Sequence, residues 1–413
     1  MANDPNATSG AASKDKVLLV YSGGLDTSIC IPLMREDYGY KDVVTVTIDV
    51  GQDPADIQQA EEKAKIMQTE HYTIDAKEEF IEKFCWPAVQ ANGDYQGYPM
   101  STSIARPIIA AKASEMAIKL GIKSFAHGCT GKGNDQYRIE FGIRSLVPDA
   151  VIHAPIRERN MTRSWEIDYA QKKNVPIQQS LNKIWSIDEN LWGRSIEGGR
   201  LEEPGFAPPE EIFKWTKSVD AANAKPTSIT VGFKAGVPVS INGKTASPAQ
   251  LVMQMNKLAG DNGIGRIDVM EDRMMGLKVR ENYECPGATV FLKAHKALEN
   301  LVLTRDEIRF KAMIDQEWSK LAYEGLWWDP LKDDLEAFIG ATQRRVTGDV
   351  NMTLYKGQAT ITGRGSPWAL YNEDLASFDT ETFDQRESTG TVKNFGLQAR
   401  MFQQLMKKFE KEM

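Results

Sequence analysis

The chain has 413 residues, of which 26% are charged and 41% hydrophobic, and a formal net charge of −7 at pH 7, so it can form two or three domains and has no overall basic field. This charge argues against nucleic acid as an obligatory partner, and the four widely separated cysteines argue against a zinc site or a disulfide framework. We expect a cytoplasmic protein with reduced thiols, no membrane segment and no signal peptide.

Short apolar runs alternate with helix-patterned segments from residue 16 to about residue 155. This alternation predicts βαβ units and a doubly wound parallel sheet, an α/β fold, in a domain over residues 16–175. Residues 1–15 are small and polar and are expected to be disordered. The predicted strands are 17–20, 43–50, 72–74 and 124–127, and the predicted helices are 29–38, 55–68, 78–90, 108–120 with Gly121 as its C-cap, and 136–141.

The pattern breaks between about residues 174 and 226, which predicts a domain crossing with long loops. Beyond it we expect an α+β domain over residues 176–380. Its predicted elements are a hairpin of strands 227–233 and 237–241, helices 248–258 and 288–303, and a turn at 355–358 between two strands. An amphipathic helix over about 398–413 is typical of a partner-docking arm, and the predicted arm covers 381–413.

The run Ser22-Gly23-Gly24-Leu25-Asp26-Thr27-Ser28 follows the first predicted strand. Its two glycines let backbone N–H groups approach an anion, its hydroxyls add donors, and a helix beginning near Asp26 directs its positive end to the same place. No Lys-Ser or Lys-Thr follows the second glycine, so this is not a Walker A loop. The run predicts a site for the phosphates of a nucleotide, and the alternative is an ordinary glycine turn in a βα unit.

A second glycine-rich loop covers residues 127–135 and follows another predicted strand. Thr130, Asn134, Asp135 and Arg138 place donors and acceptors together, which suits a zwitterion whose carboxylate and ammonium must both be held. A purely structural loop is the alternative. Ligands of a doubly wound sheet lie beyond the carboxyl ends of its strands, so the two loops and the strand end at 50–52 are expected to face one crevice.

Three consecutive hydroxyl residues at 101–103 precede a helix predicted to hold Pro107 in its first turn. Thr102 and Ser103 could bind a carboxylate there, or the run could simply cap the helix. The polar tracts 186–195, 271–273 and 283–284 are, taken alone, more typical of solvated loops. The four histidines have no ligand spacing, so no catalytic imidazole or metal triad is predicted.

Taken together, the motifs resemble the argininosuccinate synthase family of the ATP-pyrophosphatase (PP-loop) superfamily. The resemblance implies an adenine nucleotide alpha hydrolase-like domain, an α+β synthetase domain and a homotetramer knitted by the C-terminal arm. It also implies that citrulline is joined to aspartate while ATP, with Mg²⁺, becomes AMP and pyrophosphate, with no prosthetic group. The matching segments are 21–28, 49–52, 103–107, 127–136, 185–191, 263–268 and 371–373.

The resemblance also implies residue roles, and no protein side chain is assigned to a metal. The ATP-binding residues are Tyr21, Ser22, Gly23, Gly24, Leu25, Asp26, Thr27, Ser28, Ile48 and Gly128. The aspartate-binding residues are Thr102, Thr130, Asn134 and Asp135. The citrulline-binding residues are Tyr98, Ser103, Asn134, Arg138, Ser186, Ser195, Glu271 and Tyr283. The catalytic residues are Asp26, Ser28 and Asp135, where Asp26 is expected to order the loop or its metal. The departures from the family pattern, at Val20, Cys129 and Asp272, remove no polar group that the chemistry needs.

The chemistry is consistent with these roles. The ureido oxygen of citrulline attacks the α-phosphate, and the aspartate amine then displaces AMP from the activated carbon. No side-chain base is evident, and a phosphate oxygen is expected to take the proton. Three alternatives are a tRNA-modifying thiolase, a glutamine-dependent amidotransferase and a nucleotide sensor without turnover. A thiolase would need a redox cysteine pair and a basic face, and the sequence shows neither. An amidotransferase would need a glutaminase domain with a cysteine nucleophile, and no pattern here offers one. Against a sensor, the loop hydroxyls and the substrate-side residues are present together.

Overall fold

The computed structural model describes residues 14–176, 185–379 and 381–410. Three expectations concern residues outside this range. They are the disorder of residues 1–13, part of the predicted domain crossing, and the last three residues of the predicted arm. Residues 14 and 15, expected to be disordered, belong to the first strand. The chain forms two compact units, 1–368 and 369–413. The predicted domain boundaries stay predictions.

The N-terminal part contains a parallel sheet of five strands in the order β3-β2-β1-β6-β7. The chain returns to the middle of the sheet after β3, which is the doubly wound arrangement that the alternation predicted. Its elements are β1 (Lys14–Val20), α1 (Leu25–Glu36), β2 (Tyr40–Asp49), α2 (Pro54–Ile66), β3 (Glu70–Asp75), α3 (Lys77–Phe80), α4 (Trp86–Gln90), β4 (Asp94–Tyr95), β5 (Tyr98–Pro99), α5 (Thr102–Leu120), β6 (Ser124–Ala126), α6 (Asp135–Leu146), β7 (Val151–His153), α7 (Pro155–Glu158) and α8 (Arg163–Lys172).

Helices cover both faces of this sheet, so alternate residues of β1 pack into two different hydrophobic cores. Val17 and Leu19 pack in a cluster with residues of α1, α2 and α8, whereas Leu18 packs in a larger cluster with residues of α5 and α6. All three side chains are fully buried. Since side chains alternate along a strand, a continuous apolar run is what a sheet buried on both sides requires.

Two predicted helices differ from the structure at prolines. The helix predicted over 78–90 is split into α3 and α4 by a wider π-helical turn, Ile81–Cys85. Pro87 has no N–H to continue the regular helical ladder, which accounts for the break. Helix α5 begins at Thr102, earlier than predicted, so Pro107 lies in its second turn and Thr102 and Ser103 are themselves helical. The predicted C-cap is confirmed, because Gly121 is left-handed with φ +67°.

The rest of the first unit contains two antiparallel sheets, in the orders β12-β11-β10-β15-β16 and β13-β14-β9-β8. Both predicted helices, the predicted hairpin and the predicted turn are confirmed, but α11 and α12 lie where no element was predicted. The elements are β8 (Ser186–Asn190), β9 (Gly193–Glu197), β10 (Thr227–Lys234), β11 (Val237–Ile241), β12 (Lys244–Thr245), α9 (Pro248–Asp261), β13 (Arg266–Asp272), β14 (Lys278–Glu284), α10 (Pro286–Val302), α11 (Arg305–Glu324), α12 (Pro330–Gln343), β15 (Gly348–Tyr355) and β16 (Gln358–Gly365).

The polar tracts interpreted as solvated loops form the second of these sheets. Residues 186–195 lie in the hairpin β8–β9, and residues 283–284 end β14. Residues 271–272 end β13, with Arg273 directly after it, and the register pairs Glu271 with Val279. These strands bury polar side chains such as Arg194, Asn282 and Glu284, so they lack the apolar periodicity that identifies a strand and were missed.

The described residues of the second unit form three α-helices and one short 3-10 helix, Gln385–Glu387. The α-helices are α13 (Glu373–Ala376), α14 (Ser388–Asn394) and α15 (Leu397–Phe409). The predicted amphipathic helix is therefore confirmed over its described part. None of the helices in the described part of the chain is long and apolar enough to cross a membrane.

A fully buried carboxylate at the end of β14 ties the polar sheet to the preceding loop. Glu284 Oε2 accepts hydrogen bonds from Arg194 Nη1 (2.8 Å) and the Lys214 N–H (3.0 Å). Its Oε1 accepts from the N–H groups of Trp215 (2.8 Å) and Thr216 (2.9 Å). Protein donors thus form hydrogen bonds to both carboxylate oxygens, which burial has removed from water.

We therefore expect Glu284→Ala to lower the free energy of unfolding by about 3–5 kcal/mol, because it leaves the buried Arg194 with Glu189 as its remaining ion-pair partner and removes the acceptor of three backbone N–H groups. Denaturant unfolding of purified protein measures this loss. The control is Glu210→Ala, which removes an ion pair to Arg266 from a side chain that is 61% exposed and should cost less than about 1 kcal/mol. Equal losses in the two variants would contradict the assignment.

Candidate active site

The loop after β1 is held in shape by its own hydroxyl groups. Ser22 Oγ accepts a hydrogen bond from the Gly24 N–H (3.3 Å) and lies 3.1 Å from Thr27 Oγ1. Behind it, Tyr21 Oη and the buried Ser28 Oγ are 3.1 Å apart. Helix α1 starts directly after Gly24, so its first N–H groups have no intrahelical acceptor and its positive end lies at the loop. Such a loop binds an anion.

Two contacts fix the loop backbone at Gly23. This residue is left-handed (φ +73°), and a Cβ on it would lie 2.8 Å from both Cα and Cβ of Ala60 on α2. One turn along α2, the buried Lys63 donates a hydrogen bond to the Gly23 carbonyl (2.7 Å). Glycine is required here because both the backbone conformation and the available space exclude a side chain.

The second glycine-rich loop lies directly against the first. A Cβ on Gly128 would lie 2.9 Å from the Thr27 nitrogen and 3.0 Å from the Asp26 carbonyl carbon. The buried His127 before it is held in place, since its Nδ1 accepts from the Cys129 N–H (3.2 Å). The start of the second loop and the 22–28 loop therefore lie together at one edge of the sheet, as expected for loops that follow neighbouring parallel strands.

Asp26, in the first turn of α1, faces α8. Its Oδ1 accepts a hydrogen bond from Arg163 Nη1 (2.8 Å), and the same nitrogen lies 3.6 Å from the buried Glu166. Burial, and then the neighbouring Asp26 carboxylate, raise the pKa of Glu166 to about 8. At neutral pH Glu166 is therefore mainly protonated and uncharged.

A chain of hydrogen bonds joins the second loop to the polar sheet. Asn134 Nδ2 donates to Tyr323 Oη (2.8 Å), and Tyr323 Oη donates to Glu271 Oε1 (2.5 Å). The other oxygen of Glu271 accepts the Tyr283 hydroxyl (2.7 Å). Tyr98 stacks on Tyr283 with ring centres 4.1 Å apart. Four residues that the sequence assigned to citrulline, which are distant along the chain, are thus brought together.

Arg138 on α6 adds a positive charge to this cluster. It is 4% exposed, its Nε donates to the Tyr323 carbonyl (2.9 Å), and its Nη1 donates to Asp135 Oδ1 (3.2 Å). Its Nη2 is buried and has no hydrogen-bond partner among the described residues. A buried guanidinium with an unused N–H edge is a binding group for a carboxylate.

Arg106 links three parts of the crevice. Its Nη2 lies 2.8 Å from Asp135 at the start of α6 and 2.8 Å from Asp188 on β8. Although burial opposes it, the charges of Arg106 and Arg138 hold the pKa of Asp135 below its usual range. Asp135 is therefore an anion that is already paired with two cations.

The hydroxyl run at the start of α5 does not cap this helix. Ser101 occupies the cap position and makes no side-chain capping bond within the described residues. Ser103 is 1% exposed, and its Oγ has no hydrogen-bond partner among the described residues. Thr102 Oγ1 donates to Ser195 Oγ on β9 at 3.5 Å. The capping alternative is therefore wrong, and the Ser103 hydroxyl is a buried polar group that a ligand would satisfy.

Three predicted site residues lie outside this set of contacts. Thr130 is exposed in the second loop. Ser186 is exposed at the start of β8, on the same face as Asp188 two residues later. Ile48 is 3% exposed in the core at the end of β2, where its carbonyl accepts from Gln52 Nε2 (2.9 Å). Their roles stay predictions.

Sequence reasoning did not assign Arg106, Asp188 or Tyr323. Arg106 lies within the segment 103–107 that carried the resemblance, so the signal was present. Asp188 lies in a tract interpreted as a solvated loop, and Tyr323 lies in a helix that was not predicted. Across the described residues, no group of three or more His, Cys, Asp or Glu side chains is placed to hold a metal ion.

Two family models match the chain. One, described as the arginosuccinate synthase N-terminal HUP domain, matches residues 16–176, and the other, the arginosuccinate synthase C-terminal domain, matches residues 185–402. The chain belongs to the argininosuccinate synthase family. The resemblance inferred from the motifs is therefore confirmed over most of the chain.

Curated relatives agree with this family. The argininosuccinate synthase of Methanosarcina barkeri is 56% identical over 95% of this chain and 99% of its own length. The one from Methanocaldococcus jannaschii is 54% identical over 95% and 98%, respectively. A solved structure of a predicted subunit of tRNA methyltransferase from Methanocaldococcus jannaschii is 19% identical over 42% of this chain and 78% of that chain. Its TM-score of 0.29 is too low to support an inference.

The contact between the two loops gives a test of the crevice. We expect Gly128→Ala to raise the dissociation constant for ATP about tenfold or more, because the new methyl group would push the backbone of α1 away from the second loop. Titration calorimetry measures this affinity. The control in the same loop is Gly133→Ala, whose Cβ would come no closer than 3.8 Å to Thr130 and should change ATP affinity less than about twofold. Equal affinities in both variants would contradict the arrangement.

Proposed function

We propose that this chain is an ATP-dependent C–N ligase that converts ATP, L-citrulline and L-aspartate to AMP, diphosphate and argininosuccinate. The observation that carries the proposal is the close contact of Gly128 with the first turn of α1. It connects an anion-binding loop to a buried cluster with groups for a zwitterionic amino acid. Such a crevice suits the attack of an amino-acid side chain on a nucleotide phosphate.

In this proposal, the 22–28 loop holds the phosphates of ATP. The N–H groups at the start of α1 and the hydroxyls of Ser22 and Thr27 face the charge that grows on the leaving pyrophosphate. Ser28 and Asp26 are proposed to keep the loop in shape through Tyr21 and Arg163. We propose that ATP enters as its magnesium complex, since the metal neutralises the same charge.

Citrulline is proposed to bind by its amino-acid head in the cluster around Tyr323. The unused Nη2 of Arg138 suits its α-carboxylate, and the Glu271 carboxylate suits its ammonium group. The buried hydroxyl of Ser103 supplies a further polar contact. The ureido end then extends towards the nucleotide, where its oxygen attacks the α-phosphate and pyrophosphate leaves.

Aspartate is proposed to react second. Its amine attacks the activated ureido carbon and AMP leaves. Thr102, Thr130, Asn134 and Asp135 are proposed to hold this substrate. A phosphate oxygen is proposed to take the amine proton, so that positioning supplies much of the rate.

We also propose a cytoplasmic location, because all four cysteines are free thiols and three of them are buried.

The reaction itself can be tested directly. We expect the purified chain to exchange labelled pyrophosphate into ATP only when citrulline is present, because the adenylate forms reversibly before aspartate reacts. Argininosuccinate should form only when aspartate is added. Exchange without citrulline, or tight ATP binding without turnover as in a nucleotide sensor, would contradict the proposal.

Asp135 separates the two half-reactions. We expect Asp135→Ala to reduce argininosuccinate formation about 100-fold or more while reducing citrulline-dependent exchange less than about tenfold, because Asp135 serves mainly the second substrate. Both rates are measured on the same preparation. Equal losses would contradict this role, since they would indicate a general collapse of the crevice through Arg106 and Arg138.

The C-terminal unit is proposed to dock on further copies of the chain to give a homotetramer. Helix α15 carries a row of exposed apolar side chains. Their exposure to water is unfavourable, so the row is typical of a surface that a partner covers. They are Leu397 (47% exposed), Met401 (54%), Phe402 (57%), Leu405 (52%) and Phe409 (55%). We expect light scattering to give a tetramer for the full chain and a smaller species for a chain ending at Gly396. A monomeric full chain, or a tetramer without α15, would contradict the proposal.

A further inference from the structure

Tyr323, in the last turn of α11, contacts both the acidic and the basic group of the amino-acid cluster. Its hydroxyl donates to Glu271 (2.5 Å) and accepts from Asn134 (2.8 Å). Its carbonyl accepts from Arg138 Nε (2.9 Å), and the Arg138 guanidinium carbon lies 4.9 Å from the ring centre. One buried residue thus touches Arg138 and Glu271, which the proposed function assigns to citrulline, and Asn134, which the resemblance places in contact with both amino-acid substrates.

The hydrogen-bond directions around Tyr323 are determined by their neighbours. Asn134 Oδ1 accepts the Met274 N–H (3.1 Å), so its NH₂ group is the one directed at the tyrosine. Burial, and then the charge of Glu271, raise the pKa of Tyr323, so the phenol keeps its proton and donates it to the carboxylate. The order of donors therefore runs in one direction, from Asn134 through Tyr323 to Glu271.

The position of the ring is fixed independently of its hydroxyl. Tyr95 stacks on Tyr323 with ring centres 3.5 Å apart and an angle of 9° between the rings. Helix α11 ends at Gly325 (φ +79°), where a Cβ would lie 2.7 Å from Arg138 Cα. Removal of the hydroxyl alone should therefore leave the ring, the helix end and the contact with α6 in place.

We propose that Tyr323 is a positioning residue whose hydroxyl aims Asn134 and Glu271, beside Arg138, at the α-amino and α-carboxylate groups of citrulline. This inference rests on the proposed function. Without the hydroxyl, Glu271 loses a donor and the Asn134 amide loses its acceptor. Both side chains are buried, so each would rotate to find another hydrogen-bond partner for its unpaired group. Neither side chain would then point at citrulline.

The test is Tyr323→Phe in the full chain. We expect the KM for citrulline to rise about tenfold, as two lost hydrogen bonds require, while kcat changes less than about threefold. The KM for ATP should not change, because the phosphate-binding loop does not touch Tyr323. A purely structural tyrosine would instead lower the amount of active enzyme and leave every KM as it was.

Tyr95→Phe is the matched control. Its hydroxyl donates to the Asp272 carbonyl (2.8 Å), which Tyr323 also approaches (3.1 Å), and the ring stack is kept. This variant removes a tyrosine hydroxyl from the same stack without touching Asn134 or Glu271, so we expect its KM for citrulline within about twofold of the wild type. Thermal unfolding of both variants checks that the fold is retained.

A double variant decides how Tyr323 acts. If it works through Asn134 and Glu271, then Tyr323→Phe combined with Asn134→Ala should raise the KM for citrulline by less than the product of the two single effects, because the part that acts through Asn134 is lost only once. Fully additive effects, or equal KM values in Tyr323→Phe and Tyr95→Phe, would overturn the inference. Lack of citrulline-dependent pyrophosphate exchange in the wild type would instead overturn the proposed function, so the two failures are distinguishable.

Discussion

The close contact between the backbones of the two glycine-rich loops is the constraint on which the rest of the crevice depends. Gly128 lies so near Thr27 that a single methyl group would not fit between them. Since β1 and β6 are neighbours in one parallel sheet, the start of α1 and the loop that leads into α6 lie at the same carboxyl edge, where this contact joins them. In the proposed function, one helix start offers N–H groups to the phosphates, and the other presents Asn134, Asp135 and Arg138 to the amino-acid substrates.

The polar sheet closes this crevice because its hairpin reaches back to the second loop. Arg273 Nη1 donates to the Lys132 carbonyl (3.3 Å), and the Met274 N–H donates to Asn134. Glu271 on the same hairpin shares Tyr323 with Asn134. Residues from both family-model regions are thus needed for a single site. Desolvation of these buried charges is costly, so they need hydrogen-bond and ion-pair partners in the protein. These partners fix the positions of the charged side chains in the cluster.

Sequence reasoning found what is encoded locally and missed what folding brings together. The 22–28 loop is recognisable because a strand, two glycines and a helix start are adjacent in the chain, and the doubly wound sheet follows from alternating elements. Tyr323 could not be assigned in this way, since its role comes from α11 packing against α6, 185 residues away along the chain. Asp188 was missed because β8 is short and mostly polar and shows no apolar alternation, although its partner Arg106 lay within a recognised segment.

The central claim is that the crevice brings the ureido oxygen of citrulline to the α-phosphate of ATP. The most direct measurement uses citrulline labelled with ¹⁸O in its ureido group, followed by mass spectrometry of the products. If the oxygen attacks the α-phosphate, the label is found in AMP, and pyrophosphate and argininosuccinate are unlabelled. Unlabelled AMP formed together with argininosuccinate would contradict the account.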